Sequence, residues 1–398
     1  MRIRDIQVVP VQAPGRTFVI ILVITDEGLI GVGEAGLQRR WRAIEGAVQH
    51  LRRWLIGEEA ACIEHLWQRM FRGGFYPADR VIGSAISGID IALWDIKGQA
   101  LGVPIYQLLG GRCRDYVEIF SGAGSQVGLK QPVSAELLEQ VTQAGDAQAA
   151  VELARLYQAS GHRYFRLNLP VSGAGATFEP RTAARRLVEQ LRAVRSALGG
   201  ELELMVDLHT RLNPPDAIWF CREVEALGLF AVEDPIRAEH PGSYRTLRRH
   251  VHTPLAAGEQ WANKWEFAPA IEAELVDFVR PDICVAGGLS EVKKIAAMAE
   301  AHHIQLLLHN PLGPVCTAAS LHLDLACANA GAQEVLFPPT TILPDVFECS
   351  FELQGNRLTL PSAPGLGVKF NLEAAKAHPA ELSEPPHLRR ADGAFTNW

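Results

Sequence analysis

The chain has 398 residues, 48% of them hydrophobic and 21% charged, with a formal net charge of −7. That length exceeds one ordinary core and calls for two domains, or one large barrel with an addition. The acidic balance and the lack of a long basic run argue against a nucleic-acid partner, and apolar runs such as FVIILVI fall far short of a membrane span.

The opening MRIRDIQVV carries Arg2, Arg4 and Asp5 and no apolar signal core, so export is not expected. Seven cysteines are scattered without CxxC spacing and read as reduced thiols of a cytoplasmic protein. FVIILVITDEGLIGVGEAG alternates and turns at Asp26-Glu27-Gly28, a hairpin signal. AISGIDIALWDIKGQALG is helical, with Ile86, Ile89, Ala92 and Leu93 on one face. Residues 1–115 therefore read as an α+β cap that closes over the rest and excludes water. Two of its segments suit lids, Gln12–Phe18 and Gly73–Arg80, and make Arg16, Tyr76 and Arg80 candidate substrate contacts.

From about residue 116 to 345 one pattern recurs: a short apolar run ending in a polar residue, a turn, then an amphipathic helix. After LMVDLH comes Asn213-Pro214-Pro215, a cap with proline in the first helical turn, and the helix stops at Gly228. The polar run-ends are Asp207, Glu233, Glu259, Asp282, His309 and Glu334, spaced 26, 26, 23, 27 and 25 residues apart. A strand, turn and crossover helix need that length, and such units give buried parallel strands. With YVEIF from Tyr116 and YFRLN from Tyr164 the units number eight. The class is α/β, a modified (β/α)8 barrel whose site lies at the C-terminal strand ends. Residues 346–398 form a segment returning to the cap, with a hairpin around Gly355 in FELQGNRLTL; EPPHLRRADGAFTNW reads as a loosely ordered tail or one held by an oligomer contact.

Asp207, Glu233 and Glu259 end three successive strands, so they can converge on one hard cation. Oxygen-only ligation suits Mg2+ better than zinc. A lone acid there would more simply cap the following helix; three in register are not explained by capping. The chemistry that fits is removal of a proton alpha to a carboxylate, with the enediolate stabilised by metal and hydrogen-bond donors. His309 is the natural base, and Asp282 on the neighbouring strand can orient its ring. As i and i+2 on one strand, Asp207 and His209 share a face; His209 is either a second proton carrier or a group that orients Asp207. On the second strand Arg166 is permanently protonated and Asn168 cannot titrate, so a second base for racemisation is not found there.

MVDLH, VEDP and AAGEQ in this order resemble the metal ligands of the enolase superfamily, and RPDICVAGG and LLLHNPLGP resemble its mandelate racemase subgroup. Within it the likeness is to acid-sugar dehydratases of the galactonate dehydratase type, and it extends to TDEGLIGVGEAG and FRGGFYPADR near the start. The resemblance implies that His209 protonates the leaving C3 hydroxyl and that Asn168 and Arg166 contact substrate. It also implies that Glu334, if protonated, hydrogen-bonds the substrate carboxylate. The expectation is a Mg2+-dependent aldonate dehydratase making a 2-keto-3-deoxy acid, acting on a small sugar acid. The family implies a homo-oligomer, such as a dimer of dimers or an octamer. A racemase, epimerase or cycloisomerase using the same enolate, and a non-catalytic sugar-acid binder, remain alternatives.

Overall fold

The computed structural model describes residues 1–172, 177–385 and 387–396. Its first sheet is antiparallel: β1 (Ile3–Ala13), β2 (Arg16–Thr25) and β3 (Ile30–Ala35), with the β2–β3 turn at Asp26–Gly28 as expected. Helices α1 (Trp41–Leu55), α2 (Ile63–Arg72) and α3 (Arg80–Leu101) cover it. The Asp79 carboxylate caps α3 by accepting the N–H groups of Val81 and Ile82, each at 3.0 Å. Backbone meets backbone where α3 crosses β3: a Cβ added to Gly33 would come within 1.9 Å of the Gly88 carbonyl oxygen. Ile86, Ile89, Ala92 and Leu93 are fully buried, as the helical period requires.

Eight further strands make the barrel. They are β4 (Val117–Phe120), β5 (Tyr164–Asn168), β6 (Glu203–Asp207), β7 (Ala231–Glu233), β8 (Leu255–Ala257), β9 (Phe278–Val279), β10 (Gln305–Leu306) and β11 (Gln333–Glu334). β5 to β10 pair in sequence as parallel neighbours, and β11 pairs in parallel with β4. Single parallel bridges, Gly122 with Arg166 and Leu306 with Ala330, close the two remaining gaps. The fold is a modified (β/α)8 barrel with an N-terminal capping domain. Among the described residues no helix is long and apolar enough to cross a membrane, and all seven cysteines are free thiols.

The barrel interior is layered, because only every second residue of a strand points inward. Phe120, Tyr164, Met205, Ala231, Ala256, Phe278, Leu307 and Ala332 form one buried apolar cluster, one residue from each strand position. Two residues further along alternate strands stand Arg166, Glu233, Arg280 and Glu334, all nearly inaccessible. The floor of the mouth is thus charged where the layers beneath it are apolar.

The C-terminal hairpin turns at Gly355 as expected, but its second strand pairs with β4 of the barrel, Leu358 opposite Val117. The following segment reaches the cap, where the Leu366 N–H donates to Asp95 at 2.7 Å. The tail read as loosely ordered is docked: the Phe178 N–H donates to the Arg389 carbonyl at 2.8 Å, and Leu388 is buried. Pro386, Asn397 and Trp398 of that tail lie outside the described residues.

Candidate active site

The four charged residues at the floor of the mouth form a closed ring of ion pairs. Arg166 Nη1 lies 2.9 Å from Glu233 Oε2, and its Nη2 bonds Glu334 Oε1. Arg280 Nη2 lies 2.8 Å from Glu233 Oε1 and 2.7 Å from Glu334 Oε2. Both guanidinium groups stand over the Phe120 ring, 5.3 and 5.4 Å from its centroid. Charges this deep persist only when paired, and here each has two partners of opposite sign. One expectation needs correction. Glu334 is not a protonated donor: burial works against its charge, but Arg166 and Arg280 outweigh it and hold the carboxyl well below the usual range. Arg166, expected at the substrate, has both terminal nitrogens on carboxylates in this geometry. Arg280 was not singled out in the sequence; its signal is a basic residue inside the buried run FVRPD, two places from Phe278 and from Asp282.

One layer higher are Asp207, two residues beyond Met205, and His309, two beyond Leu307. Asp282 and His309 lie past the ends of β9 and β10 but are joined by their own parallel bridge. Asp282 Oδ2 is 2.9 Å from His309 Nδ1, and its Oδ1 accepts the Cys284 N–H at 2.8 Å. The carboxylate therefore holds the ring by Nδ1 and leaves Nε2 facing the mouth, 3.2 Å from Glu259 Oε2. Burial opposes charge on His309, yet Glu259 and Asp282 prevail and raise it to about 9. Glu259 follows β8 through Gly258, whose φ is 139°. A Cβ there would stand 2.5 Å from the Phe267 ring, so glycine is needed to swing Glu259 to the centre.

His209 reaches the mouth by a route other than strand alternation. β6 ends at Asp207, whose Oδ1 accepts the His209 N–H at 2.7 Å. The chain then enters a left-handed turn, φ 51° at His209 and 57° at Thr210. That turn brings His209 Nε2 to 3.6 Å from Asp207 Oδ2, with Arg211 Nη1 3.3 Å from Nδ1. Asn168 donates to Asp207 Oδ2 at 3.0 Å, so it orients that carboxylate directly. Burial first, with Arg211 and Arg166 against the pull of Glu259, pushes His209 down to about 3. In the field of the chain's own residues His309 is imidazolium and His209 neutral.

A hard cation fits the centre of this arrangement. Ligand oxygens of Glu233, Asp234 and Glu259 lie within 4.8 Å of one another. Of these, Asp234 Oδ2 is buried with no hydrogen-bond partner among the described residues, while Glu233 Oε1 faces Arg280 and Glu259 Oε2 faces His309. Buried carboxylates gathered this closely repel one another, and a cation among them relieves that cost. Asp234, held at φ 39° beside Glu233, escaped sequence reading; it is raised well above the usual range by burial, then by Glu259 and Glu233. Asp207 pairs with Glu233 in the β6–β7 ladder and flanks the trio.

The lid candidates separate. Arg16 opens β2, half-buried, and is near enough to Glu334, Asp282 and Glu259 to feel their charge; burial and then Arg39 lower it. Tyr76 is 78% exposed and packs edge-on against Phe75 at 5.1 Å, and Phe75 itself has φ 66°. Arg80 ties cap to barrel, donating to the Gln260 carbonyl at 2.6 Å and to Glu266 at 2.9 Å.

The chain is similar to known proteins over its whole length. Residues 5–110 match the family described as mandelate racemase/muconate lactonizing enzyme, N-terminal domain, and residues 148–375 match the enolase C-terminal domain-like family. The chain is 36% identical to a D-galactonate dehydratase of Ralstonia pickettii over 392 residues, 96% of either protein. It is 34% identical to a D-mannonate dehydratase of Caulobacter vibrioides, with both chains covered in full. A solved enolase from Pantoea ananatis, with bound D-gluconate and Mg, superposes with a TM-score of 0.88 at 29% identity, covering 100% of this chain and 99% of that one. The chain belongs to the mandelate racemase/muconate lactonizing enzyme group of the enolase superfamily.

Proposed function

We propose that the protein is a Mg2+-dependent dehydratase of sugar acids, converting an aldonate to a 2-keto-3-deoxy acid. The observation that carries this reading is the Asp282–His309 pair at 2.9 Å beside the carboxylate cluster, set against a β5 strand that offers only Arg166 and Asn168. One face of the mouth has a base and the β5 face has none, which suits elimination better than racemisation. The similarity to galactonate and mannonate dehydratases supports the same substrate class. The domain limits that go with this reading are 1–115 for the cap, 116–345 for the barrel and 346–398 for the returning segment.

Glu233 and Glu259 would hold the cation, with Asp207 or Asp234 as the third carboxylate. When bound, it would supply positive charge to the substrate carboxylate and so lower the cost of losing the alpha proton. His309 Nε2 takes that proton from C2, while Asp282 fixes the ring through Nδ1. His209, above Asp207, passes a proton to the departing C3 hydroxyl, which leaves as water. The protonation states that the neighbouring charges favour are the reverse of the working ones, and Glu259 is the strongest influence keeping His309 charged. Engaging the charge of Glu259 frees His309 to act as base; because a base must be neutral, kcat/KM rises with pH through the His309 pKa.

Substitution sorts the third carboxylate. Asp207→Asn is expected to weaken Mn2+ or Mg2+ binding at least tenfold by calorimetry, and Asp234→Asn to weaken it less, because Asn168 and the His209 N–H already orient Asp207 for the centre. A larger loss in Asp234→Asn would transfer the ligand role to Asp234. The activity itself is tested by assaying 2-keto acid formation across a panel of aldonates with Mg2+ and with chelator. Chelator-sensitive product from one of them is expected; no product from any member overturns the reading.

A further inference from the structure

Beside the His309–Asp282 pair lies a second polar cluster with different chemistry. Ligand atoms of Asp282, Cys284 and Cys316 all fall within 4.8 Å of one another. The three side chains are buried, both thiols completely. Glu34 of the cap adjoins them, its carboxylate accepting the N–H groups of Gly313 and Cys316, each at 2.9 Å. Main-chain bonds fix the frame: the Gly36 N–H donates to the Cys284 carbonyl at 2.7 Å, and the Cys284 N–H to Asp282 at 2.8 Å.

Two sulfurs and two carboxylates from three segments make a donor set unlike the all-oxygen mouth. Thiolate ligation selects zinc-like cations, whereas Mg2+ keeps to oxygen. Donors around a tetrahedral zinc stand roughly 3.3–3.8 Å apart, given bonds of about 2.0–2.3 Å, so a contraction of about an ångström would bring Asp282, Cys284 and Cys316 to ligand spacing. We propose that Asp282, Cys284 and Cys316, with Glu34 as fourth donor, form a site for a thiophilic divalent cation, and that filling it draws Asp282 away from His309. Binding exchanges two thiol protons for the cation and moves no electrons. The inhibitory half rests on the function proposed above; the binding half does not.

Cd2+ is the probe. Added to the reduced full-length protein in excess Mg2+, it is expected to produce the ultraviolet thiolate-to-cadmium charge-transfer band, saturating at one equivalent per chain and stopping turnover. The band is expected to survive C62A/C113A, which removes the two exposed thiols, and to vanish in C284A/C316A; Cys316→Ala alone is expected to keep its Mg2+-supported activity and to lose inhibition by Cd2+. No band, or a band unchanged in C284A/C316A, overturns the site. Should that double variant not fold, Cys316→Ser alone is expected to weaken Cd2+ binding at least tenfold, and unchanged affinity overturns it equally. A full band with undiminished turnover overturns the coupling to Asp282. A protein that dehydrates nothing yet shows the band contradicts the proposed function and leaves the site standing.

Discussion

His309→Asn is expected to lower kcat/KM by about 10²–10⁴-fold, the range for losing a general base, and to abolish exchange of the substrate C2 proton with solvent. His209→Asn is expected to lose dehydration as well, yet to retain C2 exchange, because proton removal at His309 still occurs. The two variants separate the roles even though resting protonation runs the other way, with His309 raised to about 9 and His209 pushed down to about 3. Deuterium incorporation followed by NMR during turnover decides the matter. Exchange retained by His309→Asn and lost by His209→Asn would exchange the base and acid assignments.

The second large effect concerns the ion-pair ring. Arg280→Met keeps most of the side-chain volume but leaves Glu233 and Glu334 sharing one guanidinium in a fully buried layer. Breaking a buried ionic network from one side costs about 3–5 kcal/mol, so urea unfolding is expected to shift its midpoint markedly downward. Adding Glu334→Gln removes one of the two stranded charges and is expected to restore part of the loss. A single variant as stable as the parent would show that the ring is not what holds the floor of the mouth.

The barrel was legible because each unit repeats the same physical requirement, an apolar run of strand length and a helix to cover it; run-ends 23–27 residues apart therefore marked the rim. The His309–Asp282 pair was legible for the same reason, since neighbouring parallel strands bring their ends together. What periodicity could not supply was inward layering. Arg166, Glu233, Arg280 and Glu334 belong to one layer only because each stands two residues above an inward-facing Tyr164, Ala231, Phe278 or Ala332, and that register emerges once the strands are aligned. His209 was placed near Asp207 for the wrong reason: a left-handed turn, closed by Asp207 accepting the His209 N–H, replaces the pleat. Tyr76 stands exposed on its loop, where Phe75 has a left-handed backbone that no composition rule reveals.

The most direct measurement incubates the purified protein with Mg2+ in D2O against a pool of C5 and C6 aldonic and aldaric acids, followed by mass spectrometry. The account predicts that one acid is converted to a product lighter by one water, which both establishes the elimination and names the substrate. Deuterium appearing at C2 with the elements of water retained would contradict it, and would require a second base that β5, with Arg166 and Asn168, does not provide.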